Sequence, residues 1–308
     1  MLNAPALFFC MRAKAYWVFA LAVLGFSFGG PLVRLSTSDA VTIAAWRLGF
    51  SLLIVAGFLL FTKEWRDWRK LTLREFMIAV FGGVCLALHF WAWNASIHLT
   101  TIAASVTLVN TQPAFVAAIS AVALKERPAP KQVIGIAVAI IGAIIIAAPD
   151  FRNAQQATEP LIGNLLALSA AINAAIYYTI GRRLRGVLGL WSYAALVYSA
   201  ALVALVVIGL FRGVTFAPVP PSEMAIFAGL ALGPMLLGHT GLNWALKFLP
   251  AYVVNLAVLG EPVGGTILAA VIPAIHQIPS ASTLVGGAIV LTGIIVTAPA
   301  SRAGAAET

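Results

Sequence analysis

The sequence predicts an all-α membrane protein of ten transmembrane helices, arranged as two inverted five-helix repeats around a central cavity. Three observations carry that prediction. Apolar residues make up 61% of the 308 and charged residues only 9%, against a charged share of roughly 25% in soluble domains. Ten apolar segments approach the length of about 20 residues that a helix needs to cross hydrocarbon. The stretch Asn94–Pro113 also returns without a gap as Asn243–Pro262, 149 residues later, matching at Asn94/Asn243, Val109/Val258 and Pro113/Pro262 with Gln112 opposite Glu261.

Taken in order, the first segment runs from Tyr16 to Leu35. Arg12 and Lys14 precede it, as in a signal peptide, but its length, the lack of an A-x-A cleavage site and the similar segments that follow make it a membrane helix. The others of the first half are Thr42–Phe61, Phe76–Ile97, Ile102–Leu124 and Val133–Ala148. Those of the second half are Leu161–Gly181, Trp191–Phe211, Met224–Leu246, Ala251–Ile275 and Thr283–Ala298. Connections are short. The longest polar one, Asp150–Pro160, divides a first repeat over 1–150 from a second over 161–308, with 151–160 as the linker. Gly135/Gly286, Gly142/Gly293 and Pro149/Pro299 continue the register at offsets of 150 to 151. Five is odd, so consecutive copies must cross the bilayer in opposite senses about a pseudo-two-fold axis in its plane, with a cavity between them.

Basic residues collect on the cytoplasmic side of membrane proteins. With the N-terminus inside, fifteen of the nineteen Lys and Arg fall there, and Arg34, Arg47, Arg152 and Arg212 fall on the other side. Both termini are therefore expected in the cytoplasm, and the net charge of +9 reads as orientation. No basic patch is interleaved with exposed aromatics, so nucleic acid is not an expected partner. Cys10 and Cys85 are small apolar fillers, and no His/Cys cluster has metal-ligand spacing, so neither a metal nor a cofactor is expected.

Polar groups at membrane depth are expensive and mark candidate sites. Nine of the ten carboxylates fall in loops or at helix ends; Glu261 alone lies within a segment. It would contact a substrate ammonium, carry a proton, or satisfy backbone freed by Pro262. In the third segment Gly82, Leu86, His89, Trp93 and Ser96 share one stripe at helical spacing, and His239 holds nearly the equivalent place in the second half. In the sixth, Ser169, Asn173 and Tyr177 recur every four residues. Asn110 and Gln112 flank Pro113, as Asn255 and Glu261 flank Pro262. The expected substrate-binding set is His89, Trp93, Asn110, Gln112, Asn173, Tyr177, His239, Asn255 and Glu261, with Pro31, Pro113 and Pro262 as hinges. Helix–helix packing with polar glue is the competing explanation for the stripes. Asn94 and Asn243 lie nearer helix ends and suit caps or interhelical links.

Gly25-Phe26-Ser27-Phe28-Gly29 fits the G-x-S-x-G pattern of serine hydrolases, which needs a strand–turn–helix elbow to work. Inside a membrane helix, small residues serve close packing instead. An intramembrane hydrolase using Ser27 and His239 is the remote alternative, and the chain is not expected to be an enzyme.

The runs LGFSFGGPLVRL (Leu24–Leu35) and AAWRLGF (Ala44–Phe50) resemble the opening of drug/metabolite transporter superfamily proteins of the EamA type, matching a small Gly-Ser turn at Gly25 and Ser27 and an early arginine at Arg47. TQPAFVAAISAVALKERP (Thr111–Pro128) is similar to that family's fourth helix, and LGEPVGG (Leu259–Gly265) to the Glu-Pro-Val of its ninth. A departure follows the ninth helix, where the family usually repeats a terminal Glu and this chain has Ile275-His276. The resemblance implies ten helices as two inverted repeats and export of amino acids, related metabolites or drugs. The expectation is a bacterial inner-membrane exporter working by alternating access on small molecules within the lipid bilayer, most of all aromatic or bulky apolar amino acids. Efflux of lipophilic cations, with Glu261 as counter-charge, is the alternative.

Overall fold

The computed structural model describes residues 17–100, 102–152, 158–264, 268 and 281–297. Cys10, Ile275 and His276 lie outside them. Among the described residues there is no strand. The helices are α1 (Trp17–Leu35), α2 (Ala40–Thr62), α3 (Leu73–Leu99), α4 in two pieces, Ile102–Val109 and Gln112–Ala123, and α5 (Pro130–Arg152). They continue as α6 (Pro160–Leu184), α7 (Leu190–Phe211), α8 (Pro221–Ala245), α9 (Ala251–Gly264) and α10 (Ala281–Thr297). Seven are long and apolar enough to cross a membrane, while Pro130–Ile145, Ala251–Gly264 and Leu284–Val296 are shorter apolar stretches.

The distribution of side chains is that of a protein dissolved in lipid. In α6 the buried face is Ala167, Ala170, Ala171, Ala174 and Ala175, while Leu161, Ile162 and Leu165 point outward. Large apolar residues gain nothing by leaving lipid for protein, whereas small ones let backbones approach and gain dispersion contacts. The polar ends obey ordinary helix rules. Asp39 caps α2 by accepting from the Val41 N–H, and Thr72 and Glu75 form a reciprocal capping box at the start of α3.

The two-fold repeat is visible in how helices meet. A methyl group added at Gly142 would lie 2.7 Å from the Gly286 carbonyl oxygen and 2.6 Å from the Val290 nitrogen; one added at Gly293 would lie 2.6 Å from the Gly135 oxygen and 2.5 Å from the Ala139 nitrogen. Each set maps onto the other by a shift of 151 residues, so the α5–α10 seam is its own image under the repeat. The same relation holds elsewhere. Helix α3 packs on α6 and α7, and α8 packs on α1 and α2, as the exchange of halves requires.

Four helices are irregular. Helix α1 loosens at Phe28. Helix α4 breaks at Asn110 and Thr111. Helix α8 widens into a π-helical stretch, Ala231–Thr240, with Pro234 inside it. Helix α9 tightens to a 3₁₀ turn over Leu256–Gly260. Pro31, Pro113 and Pro262 each stand shortly after one of these irregularities, in the first turn of the restarted helix, where a missing N–H leaves nothing unsatisfied. Pro234 differs from these in standing inside the irregular stretch of its own helix.

Candidate functional site

All four irregular stretches converge on one small cavity. Gly29 lines it from α1, Val109 and Gln112 from α4, Pro234 and His239 from α8, and Val258 and Glu261 from α9. Non-helical backbone at membrane depth is tolerated only where it is buried in protein or faces a polar space. This convergence therefore locates the polar centre of the molecule without reference to any side chain. The cavity measures about 30 Å³, room for about two waters, so the site is contracted.

Its walls are aromatic. His239 is ringed by Phe26, Phe90, His89 and Tyr178, with ring centroids 5.0 to 5.8 Å away. Two of its neighbours hold the histidines in place: Tyr178 Oη lies 2.9 Å from His239 Nδ1, and the Ala170 carbonyl lies 2.9 Å from His89 Nδ1. Trp93 adds an indole whose Nε1–H is buried without a partner.

Two charged residues share this space. Arg47, on α2, is 0% exposed, and all three of its guanidinium nitrogens lack hydrogen-bond partners. Its carbon lies 4.1 Å from the Phe90 ring centroid. Such a cation–π contact is worth about 2 kcal/mol when desolvated, less than the several kcal/mol it takes to bury an ion. Glu261, on α9, is 7% exposed and also lines the cavity. Among the described residues no ion pair joins it to Arg47. Each half of the chain thus supplies one ionisable group of opposite type to the same cavity, with no salt bridge between them.

Of the residues singled out from the sequence, His89, Trp93, Gln112, His239 and Glu261 line the cavity. The other four lie elsewhere. Asn255 accepts a short hydrogen bond from Gln112 Nε2 and donates to the Ala251 carbonyl, which ties α9 to α4. Tyr177 is wholly buried with its hydroxyl on Asn243 Nδ2. Asn173 is half-buried and donates back to the Ser169 carbonyl at 2.9 Å, a local satisfaction that removes its need for a cavity. A step of four residues advances about 40° around a helix, and over Ser169, Asn173 and Tyr177 the stripe turns from exposed through half-buried to buried. Asn110 is buried at the α4 break with both amide atoms unpartnered. Asn94 and Asn243 are interhelical links, to the Ala40 carbonyl and to Tyr177. Ser27 donates to the Val23 carbonyl within its own helix, and His239 bonds Tyr178, so the two are not paired as a nucleophile and base.

Arg47 and Tyr178 are cavity residues absent from the expected set. Arg47, expected with the cations of the far side, is buried within α2 and lines the cavity. Its signal in the sequence is its place as the sixth residue of the apolar segment Thr42–Phe61.

The two ends of the molecule are closed by carboxylates. At the α1–α2 end, Glu223 accepts from Ser36 Oγ, from the Thr37 N–H at 2.8 Å, and from Thr37 Oγ1 and Ser38 Oγ at 3.0 Å each. Beside this loop lies an open cleft of about 590 Å³, lined by Arg34, Ser36–Asp39, His98 and Arg212 among others. At the α2–α3 end, a 3₁₀ segment, Glu64–Lys70, grips the start of α7. Glu64 accepts from the Trp191 and Ser192 N–H groups at 2.7 and 3.2 Å, Asp67 accepts from Gly189 N–H at 2.9 Å, and Trp68 Nε1 donates to the Ser192 carbonyl. These are the orphan donors of a helix N-terminus, satisfied from another segment.

A membrane-embedded duplicate with broken helices meeting at a polar centre is the architecture found in transporters built from internal repeats. The profile of the EamA-like transporter family matches residues 13–148 and again 161–298, and the chain belongs to that family. An uncharacterized transporter of Archaeoglobus fulgidus is 26% identical over 175 residues, which cover 56% of this chain and 58% of that protein. The match thus spans little more than half the length of that relative. A solved crystal structure superposes with a TM-score of 0.73 at 18% identity, over 93% of this chain and 98% of the other, a likeness of fold.

Proposed function

We propose that the protein exports amino acids, aromatic or bulky apolar ones foremost, across a bacterial inner membrane by alternating access, with both termini cytoplasmic. The observation that carries this reading is the composition of the central cavity. Rings from Phe26, Phe90, Trp93 and Tyr178 suit a flat apolar side chain, and the polar groups of His89, Gln112, His239 and Glu261 suit a polar end. The halves over 1–150 and 161–308 would move against one another, with residues 151–160 as the linker. Bending is placed at the irregularities beside Pro31, Pro113, Pro234 and Pro262. A cavity of about 30 Å³ is too small for an amino acid and supports a contracted conformation, which must open on one side to admit one.

Efflux of a lipophilic cation is favoured by one observation, the unpaired Glu261. It is opposed by Arg47 in the same cavity, which such a ligand would leave unmatched. Reconstitution into liposomes with labelled amino acids and lipophilic cations, with and without a pH gradient, decides between them. Movement of phenylalanine, tryptophan or leucine supports the proposal, and movement of cations alone overturns it.

A further inference from the structure

We infer that Arg47 and Glu261 together form a head-group site for a zwitterion, with Arg47 taking the substrate's α-carboxylate and Glu261 its α-ammonium. This rests on the amino-acid reading and deepens it by naming the groups that recognise the backbone part of the substrate.

A guanidinium buried at membrane depth normally finds a carboxylate or backbone carbonyls. Here all three nitrogens of Arg47 are without hydrogen-bond partners, and the group lines the cavity with the Phe90 ring against it. Arginine presents a planar fork that fits a carboxylate through two parallel hydrogen bonds. The indole Nε1–H of Trp93, buried and unpartnered in the same wall, is one further donor for an anion. Glu261 supplies the complementary charge from the other half of the chain. The two share the cavity wall without a salt bridge between them, which leaves the Arg47 fork without a hydrogen-bonded partner.

A ligand carrying both charges satisfies both residues at once. A simple amine would satisfy Glu261 and leave Arg47 unmatched, and a simple carboxylate would do the reverse. Because a buried charge without a partner is heavily penalised, the site discriminates by the number of charges on the ligand as well as by their sign. Decarboxylated amines and deaminated acids with the same side chain are thereby rejected. Carrying opposite charges on opposite halves also makes the head group the element that draws the two halves together.

The test compares four ligands of one side chain, namely L-phenylalanine, its amide, phenethylamine and 3-phenylpropanoate, binding to the purified full chain in detergent by calorimetry and thermal shift. Wild-type protein should bind phenylalanine at least about 30-fold more tightly than any analogue lacking one charge, the scale on which an unmatched buried charge is felt. Arg47→Gln should lose about 30-fold or more for phenylalanine while its affinity for the amide and phenethylamine holds or rises. Glu261→Gln should weaken phenylalanine and spare 3-phenylpropanoate. Arg47→Lys, which keeps the charge without the fork, should fall between.

The wild-type series needs no variant to fold. Equal or tighter binding of the amide by wild-type protein overturns the inference, as does an Arg47→Gln variant that weakens phenylalanine and its amide alike. If wild-type liposomes transport phenylalanine yet the ligand series is flat, the head-group site falls and the amino-acid reading stands. If wild-type protein neither binds nor transports any amino acid, both fall together.

Discussion

The α1–α2 end and the α2–α3 end do the same job with different parts. At the first, one carboxylate, Glu223, holds a serine- and threonine-rich loop through four hydrogen bonds. At the second, Glu64, Asp67 and Trp68 divide the task. They are reinforced by Arg182 on Glu126, by the Phe58–Trp191 stack, and by buried Arg185 on the Asn243 and Leu188 carbonyls. A latch concentrated in one side chain fails all at once, whereas a distributed one fails in steps. The α1–α2 end should therefore be the easier to open, and an open cleft lies beside it.

The largest effect should come from Glu223→Gln. Charge-assisted hydrogen bonds are each worth about 1.5–3 kcal/mol, and weakening several at once should raise the open population at this end by about 30-fold. In a background lacking Cys10 and Cys85, a cysteine placed at Ala95, in the cleft wall, reports this as faster labelling by a membrane-impermeant thiol reagent. An unchanged labelling rate would show that Glu223 is no latch.

A smaller change is expected at the other end. Glu64→Gln or Asp67→Asn alone should speed labelling there by about threefold and the pair together by about tenfold, since each removes only one or two of the contacts. A cysteine at Leu190 reads it. Burial raises the Asp67 carboxyl, but the Lys70 ammonium and the Gly189 N–H outweigh it and hold it below 3.8. Its stabilising effect is thus present above that value and lost as the pH falls through its depressed pKa. Acidification from pH 8 to pH 5 should leave the Asp67 contact unaltered.

The smallest effects sharpen the contrast. Lys70→Ala removes a pair at 2.6 Å whose lysine is 61% exposed, and Arg212→Ala one at 3.8 Å between two well-exposed side chains. Exposed ion pairs contribute about 0–1 kcal/mol, so labelling at either end should shift by about twofold and by no more than about fivefold. A larger response would show that the end is governed by its surface charges and not by its buried carboxylates.

How much of this was legible beforehand follows physical lines. Hydropathy reports lipid contact directly, so the spans were readable, and glycines at 135, 142, 286 and 293 carried the repeat because close backbone approach tolerates little else. Prolines at 31, 113 and 262 pointed to the irregular stretches, yet Pro234 in α8 has no counterpart in α3 to draw attention to it. Side-chain direction was harder. Tyr178 faces the cavity and its neighbour Tyr177 does not, a difference of about 100° around the helix axis that no apolar pattern encodes in a helix with lipid on one side and protein on the other. Arg47 was hidden by a rule that treats every cation as a marker of a membrane surface. Glu223 was read as a helix-end residue, since the loop that occupies it is 185 to 187 residues away in sequence.

The matched positions Gln112 and Glu261, both on the cavity wall, differ by an amide in place of a carboxylate. A faultless duplicate would show the same binding chemistry to both leaflets when its halves trade shapes. Swapping one NH₂ for an oxygen ends that equality, so under the proposed alternating access a traveller arriving from one face would meet an amide first and from the other a carboxyl group. Loading speeds from the two compartments would then be free to diverge.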